Sequence, residues 1–146
     1  ILGHHHEKRY LKGGLFSDRS VRDYADGLIR DFQIQPPFAD LAARNFSGGN
    51  QQKIVLAREL ERDPDFVLVA QPTRGVDIGA IEFIHKKLMD LRDRGSGILL
   101  ISADLDELMA LSDRILVMCG GKISGEVDPA VTREKELGLL MSGHAA

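Results

Sequence analysis

Ser47, Gly48 and Gly49 stand directly before a run from Gln51 to Glu61 made almost entirely of good helix formers, so Asn45 to Lys53 reads as a helix start. Two glycines remove Cβ atoms where backbone must approach a partner, and Ser47 offers a hydroxyl. The unpaired amides of the first helical turn carry roughly half a positive charge. This chemistry suits a phosphate. The same residues also suit an ordinary Ser/Gly helix cap, and the glycines alone leave the two readings level.

The full string, Asn45-Phe46-Ser47-Gly48-Gly49-Asn50-Gln51-Gln52-Lys53, goes further. It resembles the signature motif of ATP-binding cassette (ABC) ATPases, usually Leu-Ser-Gly-Gly-Gln, in the Ser-Gly-Gly-Asn-Gln-Gln-Lys form seen in importers of simple sugars and nucleosides. Ser47, Gly48, Gly49 and Gln51 match the signature, and Asp77 matches the D-loop position. The resemblance implies that these residues and Asn50 contact ATP bound in trans, held with Mg on a partner cassette. Strand and helix alternation, argued below, agrees with the fold it implies: α/β, a partial P-loop NTPase-like cassette with a mainly parallel sheet flanked by helices, a C-terminal β-hairpin and a last helix.

Other family landmarks are altered. In ABC ATPases the strand after the signature ends in a metal-holding Asp and a water-polarising Glu. Judged from Pro72-Thr73-Arg74-Gly75-Val76-Asp77, these positions hold Ala70 and Gln71. Alanine cannot engage a hydrated metal, and glutamine cannot take a proton from water, a general-base role worth about 10²–10⁴-fold. The switch-histidine position, from Ile101-Ser102-Ala103-Asp104, holds Ala103. The Gly-x-x-x-x-Gly-Lys-Ser/Thr loop is not present in this stretch. The resemblance therefore implies the C-terminal part of the second, degenerate cassette of a two-cassette protein. Such a chain would be inactive alone and would complete its partner's site.

Composition sets the outer bounds. With 146 residues, 43% hydrophobic and 28% charged, the chain has ordinary globular composition and length for one domain. A net charge of −3 with interspersed signs gives no footprint for nucleic acid. Cys119, the single cysteine, excludes an internal disulfide and reads as a small buried residue on a strand. No apolar run approaches the roughly 18 residues of a membrane span, and the N-terminus shows no signal peptide. The resemblance places such a chain on the cytoplasmic face of the membrane, through permease subunits.

Along the chain, residues 1 to 19 read as a loop. His4-His5-His6 cannot all face one metal from a regular element, so no metal site is expected there. Gly14 to Val21 looks similar to a short Gly-Leu-Phe…Ser-Val segment of the importer family. Ser20 is expected to cap a helix to Asp31 with Val21, Tyr24, Ala25, Leu28 and Ile29 in the core. Pro36-Pro37 stops regular structure. A helix from Asn50 to Arg62 then leads to Phe66-Val67-Leu68-Val69-Ala70, the continuous apolar run of a strand buried on both faces. A helix from Ile78 to Arg94 carries a stripe of Ile81, Ile84, Leu88 and Leu91, with His85 in a surface or half-buried structural role.

A strand from Gly97 to Ser102, a helix from Leu105 to Leu111 and a strand from Arg114 to Cys119 follow. Gly120-Gly121 turns the chain into a strand from Lys122 to Val127. Thr132 is expected to cap the last helix, to Met141, with Glu134 and Glu136 in its first turn. The expected division is residues 1–46, part of the helical subdomain and lead-in, and 47–146, the signature helix and C-terminal half of the core.

The function implied is that of an importer's ATP-binding subunit, a nucleoside or simple-sugar system, working with a partner cassette. Two other readings remain: a docking or regulatory module of an ABC complex, and a soluble ABC protein of translation or repair. In the family's fold the phosphate-loop strand lies beside Phe66 to Ala70, so the isolated fragment is expected to self-associate through an apolar strand edge.

Overall fold

The computed structural model describes residues 8–12 and 15–143. His4-His5-His6 and the Gly13-Gly14 link lie outside the described residues. The chain forms two compact units. One comprises the described residues up to Asp65 together with Thr73–Ser96, and the other Phe66–Pro72 with the described residues from Gly97 onward.

The first unit opens with a short antiparallel pair, β1 (Leu11–Lys12) and β2 (Leu15–Phe16), where a loop was expected. Helix α1 spans Asp18–Asp31, three residues earlier than its apolar pattern begins. Its cap is Ser17, whose hydroxyl accepts from the Ser20 amide at 3.3 Å, so Ser20 is a first-turn residue and not the cap. The expected core face of α1 is only half-buried, and no residue of the helix is fully buried. Arg22 instead reaches out of α1 to hold Asp40 through two bonds of 2.7 and 3.1 Å.

Helix α2 (Gly48–Leu60) and helix α3 (Ile78–Asp93) supply most of this unit's buried apolar surface. Leu56, Ala57 and Leu60 of α2 are buried, as are Ala80, Ile84, Leu88 and Leu91 of α3. The 3.6-residue stripe read on α3 is therefore its inner face, with Ala80 added and Ile81 left half-buried. Tyr10, Phe32, Ile34 and Phe46 add to the apolar interior. Ile84 and Leu91 have no exposed surface at all.

In the second unit, β3 (Phe66–Ala70) and β4 (Gly97–Ile101) run parallel, with Leu68 opposite Leu99 and Ala70 opposite Ile101. The expectation that Phe66–Ala70 is buried on both faces does not hold. The pleat sends alternate side chains to opposite faces, and one face is half-buried while the other stands in solvent. Phe66, Leu68, Leu99 and Ile101 on that open face are 46–62% exposed.

Helix α4 (Leu105–Leu111) is capped by Asp104, whose carboxylate accepts from the Glu107 amide at 3.2 Å. Strands β5 (Ile115–Cys119) and β6 (Lys122–Val127) form the expected antiparallel hairpin. Gly120 and Gly121 both have positive φ, 56° and 76°, the pair of left-handed residues that a tight two-residue hairpin turn requires. Cys119, at the end of β5, is half-buried rather than fully buried.

Helix α5 (Glu134–Met141) starts later than expected. Its cap position is Arg133 and not Thr132, and the Arg133 amide donates to the Glu136 carboxylate at 3.5 Å. Ile115, Val117 and Leu137 form the core of this unit, with Leu105, Leu108, Met109, Val127 and Leu140 packed around them.

The β6–α5 packing depends on one missing side chain. A Cβ on Gly125 would come within 2.8 Å of Leu140 Cδ2 and 2.9 Å of its Cδ1. Gly125→Ala should therefore force Leu140 out of its rotamer and cost about 1–3 kcal/mol, the usual range for overpacking. Urea denaturation of the variant against the parent measures this, and an unchanged midpoint would show that Leu140 moves aside freely.

Candidate functional site

The signature residues occupy the start of α2. Ser47 is the cap in extended backbone (φ −61°, ψ 159°), and Gly48 and Gly49 are the first two helical residues, so the helix begins three residues before the run of strong helix formers that opens at Gln51. Ser47 and Gly48 are exposed. The first turn of α2 carries no acidic side chain, so no charge on the helix itself offsets the positive end of its dipole.

The two glycines have different reasons. Gly48 lies by the Gly75 carbonyl, 3.3 Å from where a Cβ would stand. Gly49 is buried, and a Cβ there would meet Ala80 Cβ at 3.0 Å and Asp77 Oδ2 at 3.1 Å. The close approach that Gly49 permits is thus internal: it lets the start of α2 seat against the start of α3.

Asp77 is the cap of α3, accepting from the Ala80 amide at 2.9 Å. Sequence reasoning assigned Asp77 only its place in the D-loop. The Asp77-Ile78-Gly79-Ala80 spacing at the head of an apolar stripe was the signal for a cap. Through Gly49 the structure brings Asp77 beside the signature.

Asn50 and Gln51 part company. The Asn50 amide Nδ2 donates to Ser47 Oγ at 2.9 Å, and the Asn50 backbone amide approaches the same oxygen at 3.4 Å. Asn50 Oδ1 accepts from the Gln35 backbone amide at 2.7 Å. Gln51 Nε2 turns back to the Phe46 carbonyl at 2.9 Å. Asn50, in fifth place of a Phe-Ser-Gly-Gly-Asn string, is therefore the side chain beside the serine, and Gln51 fastens the preceding loop.

On the far side of α2, Lys53 Nζ donates to the Gln33 carbonyl at 3.3 Å and lies over the Phe83 ring, 4.8 Å from its centroid. Lys87 lies over Phe32 and Phe83 at 4.7 and 5.5 Å. These contacts hold the turn after α1 against α2 and α3. His85 is half-buried on α3, as expected of a structural residue. Elsewhere in the unit, burial first, then the hydrogen bond that the Tyr24 hydroxyl donates to the Glu61 carboxylate and its bond with Tyr10, push that hydroxyl far above its ordinary range, so it stays protonated.

Ala70, Gln71 and Ala103 lie in the other unit, at the carboxyl ends of the parallel strands, where open α/β sheets present ligand-binding groups. Gln71 adopts φ 51°, a left-handed conformation rare for a residue with a side chain, and its amide donates to the Ile101 carbonyl at 2.7 Å. This backbone bond closes the end of β3 onto β4. Just beyond β4, the Ser102 hydroxyl accepts from the Asp104 amide at 3.0 Å. No group of three or more His, Cys, Asp or Glu side chains that could hold a metal occurs among the described residues.

Comparison with known proteins decides what this arrangement belongs to. The chain is 46% identical over 143 residues to the guanosine import ATP-binding protein NupO of Bacillus subtilis, covering 98% of this chain and 28% of that protein. It is 46% identical over 132 residues to the nucleoside import ATP-binding protein NupA of Lactococcus lactis, covering 90% and 26%. The glucose import ATP-binding protein of Haloferax volcanii is 42% identical over 139 residues. The chain belongs to the ATP-binding cassette family.

A solved dimeric ATP-binding cassette in a post-hydrolysis state, bound to ADP and Pi, shares the fold of this cassette segment with a TM-score of 0.68 and 24% identity, over 81% of this chain and 51% of that one. A second solved cassette superposes with a TM-score of 0.64 over 91% of this chain and 50% of that chain. No family model matches the chain. The segment spans about a quarter of the length of the curated relatives named here. Among its described residues no helix is long and apolar enough to cross a membrane.

Proposed function

We propose that this cassette segment is part of the ATP-binding subunit of an importer for nucleosides or simple sugars, and that its signature closes on ATP held by a partner cassette. The relatives named above support the importer reading, since their names describe guanosine, nucleoside and glucose import. The observation that carries the chemistry is the start of α2. There Ser47 and Gly48 stand exposed at a helix N-terminus without an acidic side chain in its first turn. These groups fit an anion, because amides and a hydroxyl can only gain by facing phosphate oxygens.

In this reading Ser47 and the Gly48 and Gly49 amides would hold the terminal phosphate, and ATP hydrolysis on the partner, with Mg, would supply the energy for transport. Asp77 would set the height of the signature turn through its cap of α3 and its contact with Gly49. Ala70, Gln71 and Ala103 hold neither a carboxylate nor an imidazole, so this segment would bring no general base of its own. The subunit would sit on the cytoplasmic face of the membrane by docking to permease subunits.

Titration calorimetry tests this directly, with Mg-ATP added to the chain alone and then to its mixture with an intact partner cassette. The expected result is no binding by the chain alone and raised ATP turnover in the mixture. Micromolar binding by the chain alone would place a nucleotide site on the segment itself and overturn the in-trans reading.

A further inference from the structure

Ser47 Oγ has two lone pairs and one hydrogen. Asn50 approaches it as a donor twice, from Nδ2 at 2.9 Å and from the backbone amide at 3.4 Å. With its accepting side taken, the hydroxyl can offer only its hydrogen to anything that approaches from outside. A hydroxyl facing an anion needs that polarity.

Which atom of the Asn50 amide faces Ser47 follows from the rest of the network. Gln35 presents a backbone N–H, which can only donate, so the atom 2.7 Å from it is the amide oxygen. The NH₂ group then has to face Ser47. The chain of bonds runs from the Gln35 amide through the Asn50 carboxamide to the Ser47 hydroxyl, and each step has a fixed sense.

We propose that Asn50 is a positioning residue of the signature: its carboxamide, anchored on the Gln35 amide, turns the Ser47 hydroxyl hydrogen outward to a phosphate oxygen. The inference rests on the reading that Ser47 contacts the terminal phosphate. It adds that the residue type at position 50 must accept on one side and donate on the other. Asparagine does both, aspartate can only accept, and alanine can do neither.

This gives opposite orders for two roles. If Asn50 merely ties Gln35 to α2, Asn50→Asp retains that tie and should be the milder change. If Asn50 orients Ser47, Asn50→Asp is the harsher one, because a carboxylate draws the hydroxyl hydrogen inward.

The experiment measures ATP turnover and KM for Mg-ATP in the full-length ATP-binding protein assembled with its partner cassette. Asn50→Ala should lower kcat about tenfold, the scale of one lost hydrogen bond, and Asn50→Asp at least tenfold more, with KM changing less than kcat. In a Ser47→Ala background the gap between the two variants should vanish, since both act through a hydroxyl that is gone. Melting temperatures should rank Asn50→Asp at or above Asn50→Ala, which excludes unfolding as the cause. Arg22→Ala, which loosens only the exposed pair with Asp40, should keep parental turnover.

Asn50→Asp turning over as fast as Asn50→Ala would overturn the orienting role. So would an aspartate penalty that persists undiminished without Ser47, which would be charge repulsion acting on its own. Ser47→Ala by itself leaving turnover unchanged would instead remove the underlying reading that the serine meets the phosphate.

Discussion

Ser47→Ala in the full-length protein, paired with its partner cassette, should lower ATP turnover about a hundredfold, and Gly49→Asp should lower it further, while Gln71→Ala should leave it within about twofold. The first figure is the scale of removing one preorganised donor from developing negative charge. Gly49→Asp combines two injuries. Its Cβ would be 3.0 Å from Ala80 Cβ, so the start of α2 must shift against α3, and its carboxylate would crowd that of Asp77, repelling any anion brought to the signature. Gln71 contributes to the end of β3 through a backbone amide, bonded to Ile101, that survives truncation of the side chain. Steady-state ATPase assays on the three variants decide the matter. Equal losses at Ser47 and Gln71 would contradict a segment that serves its partner's site.

Ile84→Ala should be the most damaging change away from the site. Ile84 has no exposed surface and lies in the middle of the inner stripe of α3, among the apolar residues that α2 and α3 bury. Truncation removes three carbons and leaves a cavity whose walls are two helices and cannot collapse fully, a cost of about 2–5 kcal/mol. Set against a typical stability of about 5–15 kcal/mol, that is a large fraction of the whole. Because α3 also carries the cap residue Asp77 that meets Gly49, lost packing should reach the signature. Denaturant titration should show the loss of stability, and a change below about 1 kcal/mol would mean the helix pair repacks around the gap.

Local rules accounted for much of what was legible. The α3 stripe, the β3 strand, the α4 helix and the Gly120-Gly121 hairpin each announce themselves within a few residues, by a 3.6 or 2.0 period or by a pair of glycines suited to left-handed backbone. Caps were less legible. Ser17 outcompeted Ser20, and Arg133 took the place expected of Thr132, because the residue that caps is the last extended one before the incoming chain turns helical. Apolar pattern also overstated burial on α1 and β3. A pattern reports which face of an element is apolar, whereas burial requires another element to lie on it, and Phe66, Leu68, Leu99 and Ile101 stand open.

By itself the sequence determined the chemistry available: a serine and two glycines at a helix start, an alanine and a glutamine rather than carboxylates at the end of an apolar strand, and the likeness that names the family. Tertiary structure alone decided how those groups are used. Gly49 is small because Asp77 and Ala80 come against it from a helix that begins 29 residues later in the chain. Asn50 is bonded on one side to Gln35 and on the other to Ser47 because the turn after α1 is folded back onto α2. Hydrogen bonds have a direction and packed atoms have a size, and neither is expressed until distant segments meet.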